Sequence, residues 1–182
     1  MRGFRTDLAM ESVGEESGRL EGVRMSAHQI GGVKRTRIVI QSRRAAEALQ
    51  RPMGEYITLE CPELAHCEQQ ERQMLIRLIA QAVRALLPRE GEVLVVGLGN
   101  RVVERTLVTR HLGESLAREM QGRLRGVSAI APGVLGLTGI ETAELCRGLI
   151  QRVRPAAVIA IDALAAFDSG RICSTIQITN TG

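Results

Sequence analysis

Asp162 closes a run of six apolar residues, Ala156-Ala157-Val158-Ile159-Ala160-Ile161, and is one of three aspartates in the chain, beside Asp7 and Asp168. A run so continuously apolar reads as a strand covered on both faces. A carboxylate directly after it falls on the carboxyl edge of a sheet, where open α/β sheets hold their ligands and their chemistry. Acid/base work on a bound substrate is one use of such a group. The other is local, with Asp162 capping a turn over Ala163-Leu164-Ala165-Ala166. The position fits both.

Two glycine-bearing strings sit at other strand ends. Gly97-Leu98-Gly99-Asn100 follows the apolar Val93-Leu94-Val95-Val96. It opens like a dinucleotide fingerprint, but the third glycine would fall at position 102, where valine stands, and no acidic residue ends the next strand. A sharp turn at the sheet edge explains the glycines as well. Ala131-Pro132-Gly133-Val134-Leu135-Gly136-Leu137-Thr138-Gly139 is an apolar loop. Pro132, Gly133, Gly136 and Thr138 could line a pocket for an apolar side chain of a peptide, or lie under a neighbouring subunit. Thr138 or Thr142 can cap the helix that follows, with Glu141 and Glu144 well placed near its N-terminus.

Other constellations are weak. Cys61, His66 and Cys67 match no common zinc spacing and lack an evident fourth ligand, so neither a metal nor another cofactor is expected. Ser128 lacks the nucleophile elbow, and His28, His66 and His111 have no obvious partners in sequence.

The elements that must position these residues alternate. Strands are predicted over 36–41, 56–61, 93–96, 127–130, 156–161 and 172–178, and helices over 43–50, 67–87, 102–120 and 141–153. The βαβαβ alternation of the second half implies a parallel sheet flanked by helices. The fold class is therefore α/β, three layers with a mostly parallel sheet and an N-terminal extension. Residues 1–30, rich in Gly, Glu and Ser, read as a mobile or loosely docked arm. Residues 31–182 read as a single α/β domain, incomplete at its C-terminus because the chain stops directly after a strand.

Bulk properties narrow the class further. The chain has 182 residues, 45% of them hydrophobic, which is enough for a real core. That core is aliphatic, since the aromatic residues are Phe4, Tyr56 and Phe167. So few rings disfavour single-strand nucleic-acid platforms, and the net charge of +4 is spread rather than clustered. No direct nucleic-acid partner is expected. No apolar run approaches the ~18 residues of a membrane span. Four cysteines without framework spacing, in a chain with no secretory signal, fit a reduced cytoplasmic setting.

Several strings together carry a resemblance: Arg5-Thr6-Asp7-Leu8-Ala9, Val95-Val96-Gly97-Leu98-Gly99-Asn100, Leu107-Val108-Thr109-Arg110-His111-Leu112, VSAIAPGVLGLTGIET over 127–142, Ala160-Ile161-Asp162-Ala163-Leu164-Ala165-Ala166 and Thr175-Ile176-Gln177-Ile178. From residue 5 to residue 182 the chain resembles the germination protease (spore protease) family of endospore-forming bacteria. The resemblance implies an atypical aspartic endopeptidase that cleaves small acid-soluble spore proteins in the spore core during germination. It also implies a homotetramer made as a zymogen, with pro-segment 1–7 removed at the Asp7–Leu8 junction. One of the family's two essential aspartates matches Asp162. The other belongs to a Thr-Pro-Asp-x-Leu-Gly-Pro loop directly after Gly-Leu-Gly-Asn, and here Asn100 runs straight into Arg101-Val102-Val103-Glu104. Glu104 corresponds to a position beyond that loop, and Asp168 and Phe167 depart from the family pattern.

Hydrolysis of a peptide bond by carboxylates takes one ionised group to activate water and one protonated group to supply a proton. One aspartate cannot hold both roles in one step. The sequence thus points to an endopeptidase impaired by loss of its second acid. A non-catalytic remnant that docks partner subunits is the alternative, and a nucleotide-binding domain using residues 97–100 is a third reading.

Overall fold

A computed structural model of the chain describes residues 6–13, 20–61, 68–98, 126–133, 141–171 and 173–181. The chain divides into two compact units, one of Met1–Leu86 with Leu164–Gly182 and one of Leu87–Ala163. The first unit opens with α1 (Ala9–Ser12), β1 (Val23–Ile30), β2 (Val33–Ile40), α2 (Arg43–Leu49), β3 (Gly54–Glu60) and α3 (Gln69–Leu86). The second holds β4 (Val93–Gly97), β5 (Val127–Ile130), α4 (Thr142–Val153) and β6 (Ala157–Ile161). The chain then returns to the first unit with a 3₁₀ turn, Ser169–Arg171, and β7 (Thr175–Thr179).

The sheet of the first unit has the order β1-β2-β3-β7 and is antiparallel throughout. Strand alternation sends Ile38, Ile40 and Tyr56 to one face and Val33, Ile57 and Leu59 to the other. Ala9 and Val13 join Ala45 and Leu49 of α2 over the first face. Leu75, Leu78 and Ala82 of α3 cover the second, with Ile176 and Ile178 of β7 beside them. Three layers result. α2 starts where the Ser42 hydroxyl accepts a bond from the Ala45 N–H at 3.2 Å, and it stops at Gln50 in a left-handed conformation.

The second unit's sheet is parallel and has the order β5-β4-β6. Val93 and Val95 pack with Leu87, Val127, Ile159 and Ile161 on one side, and α4 packs against β4. The α/β class thus holds, with the parallel pairing confined to β4, β5 and β6. β7, which follows a parallel strand in sequence, instead pairs antiparallel with β3 in register Leu59↔Ile176.

Two expectations change. Residues 23–30, read as part of a loose arm, form β1. Its side chains are mostly exposed, so it shows no apolar period. Its signal is the two-residue Gly31-Gly32 hairpin link between Ile30 and Val33, with Gly31 at φ +58°. β6, read as covered on both faces, alternates between half-buried and exposed, with Val158 at 42% exposure. The reason is lateral position: β4 lies at the sheet centre and is buried along its whole length, whereas β6 flanks it. The helix predicted over 102–120 lies outside the described residues.

Thr36 and Thr58 face each other across β2 and β3, both fully buried, and neither hydroxyl has a hydrogen-bond partner among the described residues. Replacing such a group by an apolar isostere removes a desolvation cost. Thr58→Val should therefore leave stability unchanged or raise it, while Ile57→Ala on the opposite face should lower it by about 2–5 kcal/mol. Urea unfolding measures both, and a Thr58→Val protein as weakened as Ile57→Ala would refute this account of the sheet.

Candidate functional site

Because β4 runs parallel to both neighbours, the carboxyl ends of all three strands meet at one edge of the second unit's sheet. The register pairs Gly97 with Ile161 and Val96 with Ile130. The ladder continues one step past β4, where the Leu98 N–H donates to the Ile161 carbonyl at 2.7 Å. Asp162 therefore emerges alongside Gly97 and Leu98, and Ala131-Pro132-Gly133 leaves β5 at the same edge. Of the site residues expected from sequence, Gly97, Pro132, Gly133 and Asp162 are brought to this edge. Gly99, Asn100, Gly136 and Thr138 lie outside the described residues.

Pro132 and Gly133 are buried, and Gly133 has φ +77°, a left-handed conformation that glycine adopts without strain. The Thr142 hydroxyl donates to the Gly133 carbonyl at 3.0 Å, which ties the loop to the first turn of α4. The capping role expected of Thr142 does not occur. Glu141 is the N-cap and makes no side-chain capping bond, and the Thr142 hydroxyl is spent on the loop. Glu144 does stand in the first turn, where a carboxylate favours the helix dipole.

Asp162 is exposed rather than set against a dry sheet. It shares the outward face of β6 with Val158 and Ala160, which is the physical reason. One carboxylate oxygen, Oδ1, accepts from the Ala163 N–H at 2.8 Å. Residues 163–166 form no helical turn, so this bond steadies the chain's exit from the strand without capping a helix. The second oxygen has no hydrogen-bond partner among the described residues. The Ser128 hydroxyl donates to the Glu92 carboxylate at 2.8 Å. Among the described residues, no three His, Cys, Asp or Glu side chains gather as metal ligands would, and His66, Cys67 and His111 lie outside them.

The Asp7–Leu8 junction belongs to the first unit, and sequence reasoning missed how tightly it is held. Leu8 is 2% and Ala9 0% exposed. The Asp7 carbonyl accepts from Arg51 Nη1 at 3.0 Å and from Gln177 Nε2 at 3.1 Å. The same glutamine accepts the Ala9 N–H at 2.7 Å, and Arg51 also donates to the carbonyls of Thr6 and Leu8 and to the Ser12 hydroxyl. Asp7 pairs with Ala165 twice, through its N–H at 2.8 Å and its carboxylate at 2.9 Å. The available signal was the apolar spacing of Leu8, Ala9 and Val13 inside a polar stretch.

Glu11 completes this docking. It accepts from the Thr6 hydroxyl and from the N–H groups of Phe167 at 2.8 Å and Asp168 at 3.1 Å. Arg171 lies 3.6 Å from both Glu11 and Glu60 and 3.8 Å from Asp168. Burial by itself pushes the Glu11 carboxyl up, but the Thr6 hydroxyl, the two N–H groups and the Arg171 guanidinium together hold it below its ordinary value. A carboxyl lowered in the folded state adds stability above its unfolded value of about 4.3, and that stability is lost as pH falls through the folded value. Melting temperature should therefore drop as pH falls below about 5, and Glu11→Gln should lower it at pH 7 while flattening that drop. A Glu11→Gln protein whose pH dependence matched the parent would contradict this assignment.

Comparison with known proteins gives a consistent result. Residues 5–182 match the family described as germination protease. A germination protease of Caldanaerobacter subterraneus subsp. tengcongensis is 42% identical, over 99% of this chain and 60% of its own length. The germination protease of Clostridium tetani is 36% identical over 98% of this chain and 60% of its own length. That of Bacillus cereus strain B4264 is 38% identical over 98% and 54%. The chain thus spans little more than half the length of these relatives. The alignments run over 193, 194 and 200 positions, more than the 182 residues here, so the relatives carry residues inside the matched span that this chain lacks.

Proposed function

The chain belongs to the germination protease family, and on that footing we propose that it is an endopeptidase module directed at small acid-soluble spore proteins. It works in the spore core at the onset of germination, within a homotetramer, and uses neither metal nor other cofactor. Asp162 is the catalytic carboxylate. Gly97, Gly99, Asn100, Pro132, Gly133, Gly136 and Thr138 shape the cleft in which an extended peptide lies. Asp7–Leu8 is the junction at which pro-segment 1–7 is removed.

The observation that carries this reading is the convergence of Asp162, Gly97 and Pro132-Gly133 on one carboxyl edge of a parallel sheet. Two buried or turned loop residues beside an open carboxylate leave room for a peptide to approach the acid. The proton inventory is incomplete, however. The family's second aspartate sits in a loop after Gly-Leu-Gly-Asn that this sequence does not contain. With Asp162 ionised to activate water, no partner acid in the sequence matches the family's proton donor. Activity is accordingly impaired.

A specific observation favours a second reading. Asp162 is exposed, and an acid in bulk water gains none of the preorganisation that a dry site provides. In that reading the chain is a non-catalytic remnant that docks partner subunits through its apolar loops.

Incubating the purified chain with an acid-soluble spore protein tests the proposal. Turnover should fall about 10²-fold or more below that of a family member with both acids. Inserting the Thr-Pro-Asp-x-Leu-Gly-Pro loop after Asn100 should restore it, and Asp162→Asn in the restored chain should abolish it. Efficient cleavage by the unaltered chain would overturn the impairment. A restored chain that stays inactive would instead favour the docking reading, and one that cleaves equally well with Asn at 162 would overturn the catalytic role given to Asp162.

A further inference from the structure

Arg51 and Gln177 play no part in the sheet edge around Asp162, yet they make the densest set of side-chain to backbone bonds among the described residues. We infer that the two side chains form a clasp that keeps the Asp7–Leu8 peptide bond closed to hydrolysis until the clasp is released. This rests on reading that bond as the processing junction.

A protease cleaves a bond whose flanking residues can leave the fold and lie extended in its groove, so cutting follows local opening. Here the amide groups on both sides of the bond are engaged. The Leu8 N–H donates to the Thr6 hydroxyl at 3.1 Å, and the Ala9 N–H donates to Gln177 Oε1. Gln177 grips the chain at two points, as a neighbouring strand would, because its amide both donates to Asp7 and accepts from Ala9. Arg51 spans three successive carbonyls, Thr6, Asp7 and Leu8. A planar guanidinium with five donors can do this, and an ammonium cannot match its fork. α1 begins at Ala9, so opening the bond also means lifting buried Leu8 and Ala9 and unwinding that turn.

The donors on the Asp7 carbonyl have a rival interpretation, since an oxyanion formed by attack on that carbon would also accept from them. The two predict opposite signs. A clasp slows cleavage, and removing it speeds cutting; an oxyanion cradle accelerates cleavage, and removing it slows cutting.

The 182-residue chain should be digested with a glutamyl endopeptidase under conditions where it also cuts after aspartate, and new N-termini at Leu8 counted by sequencing. Arg51→Lys and Gln177→Leu should each release residues 1–7 about tenfold faster than the parent, since each removes two or more hydrogen bonds from the docked segment. Cutting at the exposed Glu90–Gly91 turn, in the other unit, should not change. Resistance at Glu60–Cys61, at the end of a buried strand, confirms that the variants remain folded, and a milder Gln177→Glu variant stands in if Gln177→Leu does not. Folded variants whose Asp7–Leu8 bond is cut at the parent's rate or slower would overturn the clasp. Self-removal of residues 1–7 is measured separately, without added protease. Its absence from a loop-restored chain that does cleave an acid-soluble spore protein would sink the processing reading and leave the digestion result to judge the clasp.

Discussion

β4 is buried along its whole length and bonded in parallel register to a strand on each side, and the arrangement of the candidate catalytic edge depends on that ladder. A buried strand cannot leave its N–H and C=O groups unpaired without a cost of a few kcal/mol, about 1–3 for each orphaned group. Pairing on both sides satisfies them. Parallel pairing also fixes direction, so whatever follows β4, β5 and β6 must emerge at the same end. Gly97, Pro132-Gly133 and Asp162 lie far apart in sequence and are gathered by backbone hydrogen bonds rather than by contacts of their own.

The first unit solves a different problem. Helices cover both faces of its antiparallel sheet at β2 and β3, and among the described residues the buried clusters are aliphatic apart from Tyr56 and Cys61. Tyr56 keeps its polar tip satisfied by donating to the Pro52 carbonyl at 2.8 Å and accepting from Thr181 at 3.2 Å. Onto that base the N-terminal segment is tied by polar bonds. Glu11 and Arg171 sit in a partly buried cluster, where the attraction between charges must offset the loss of hydration. Backbone N–H donors to Glu11 help to do so. The Arg37–Glu55 pair across β2 and β3 is bidentate but exposed, and matters less.

The two candidate sites are thus held by unlike means, and this bears on function. The acid at position 162 inherits its place from a rigid ladder, so substitutions nearby can alter its chemistry without moving it. The junction at residues 7 and 8 is held by side chains that can let go one at a time. On the proposed reading, a bond cut once suits reversible ties of this kind, whereas a group acting repeatedly suits a fixed support.

Much of this was legible from residue order. The period-2 and period-3.6 patterns gave β2, α2, β3, α3, β4, β5, α4 and β6 within a few residues, and the strings around Gly97, 127–142 and Asp162 carried the family. β1 was hidden because its side chains face solvent and leave no apolar rhythm, and its trace was the Gly31-Gly32 link. Sequence determined which segments pair apolar faces and which acid ends a strand, because those are properties of neighbours along the chain. Tertiary structure decided that β7 joins β3, that β6 keeps one open face and that Arg51 and Gln177 seize the Asp7 carbonyl. Those outcomes depend on which distant surfaces compete for the same cover, and local spacing carries no record of that competition.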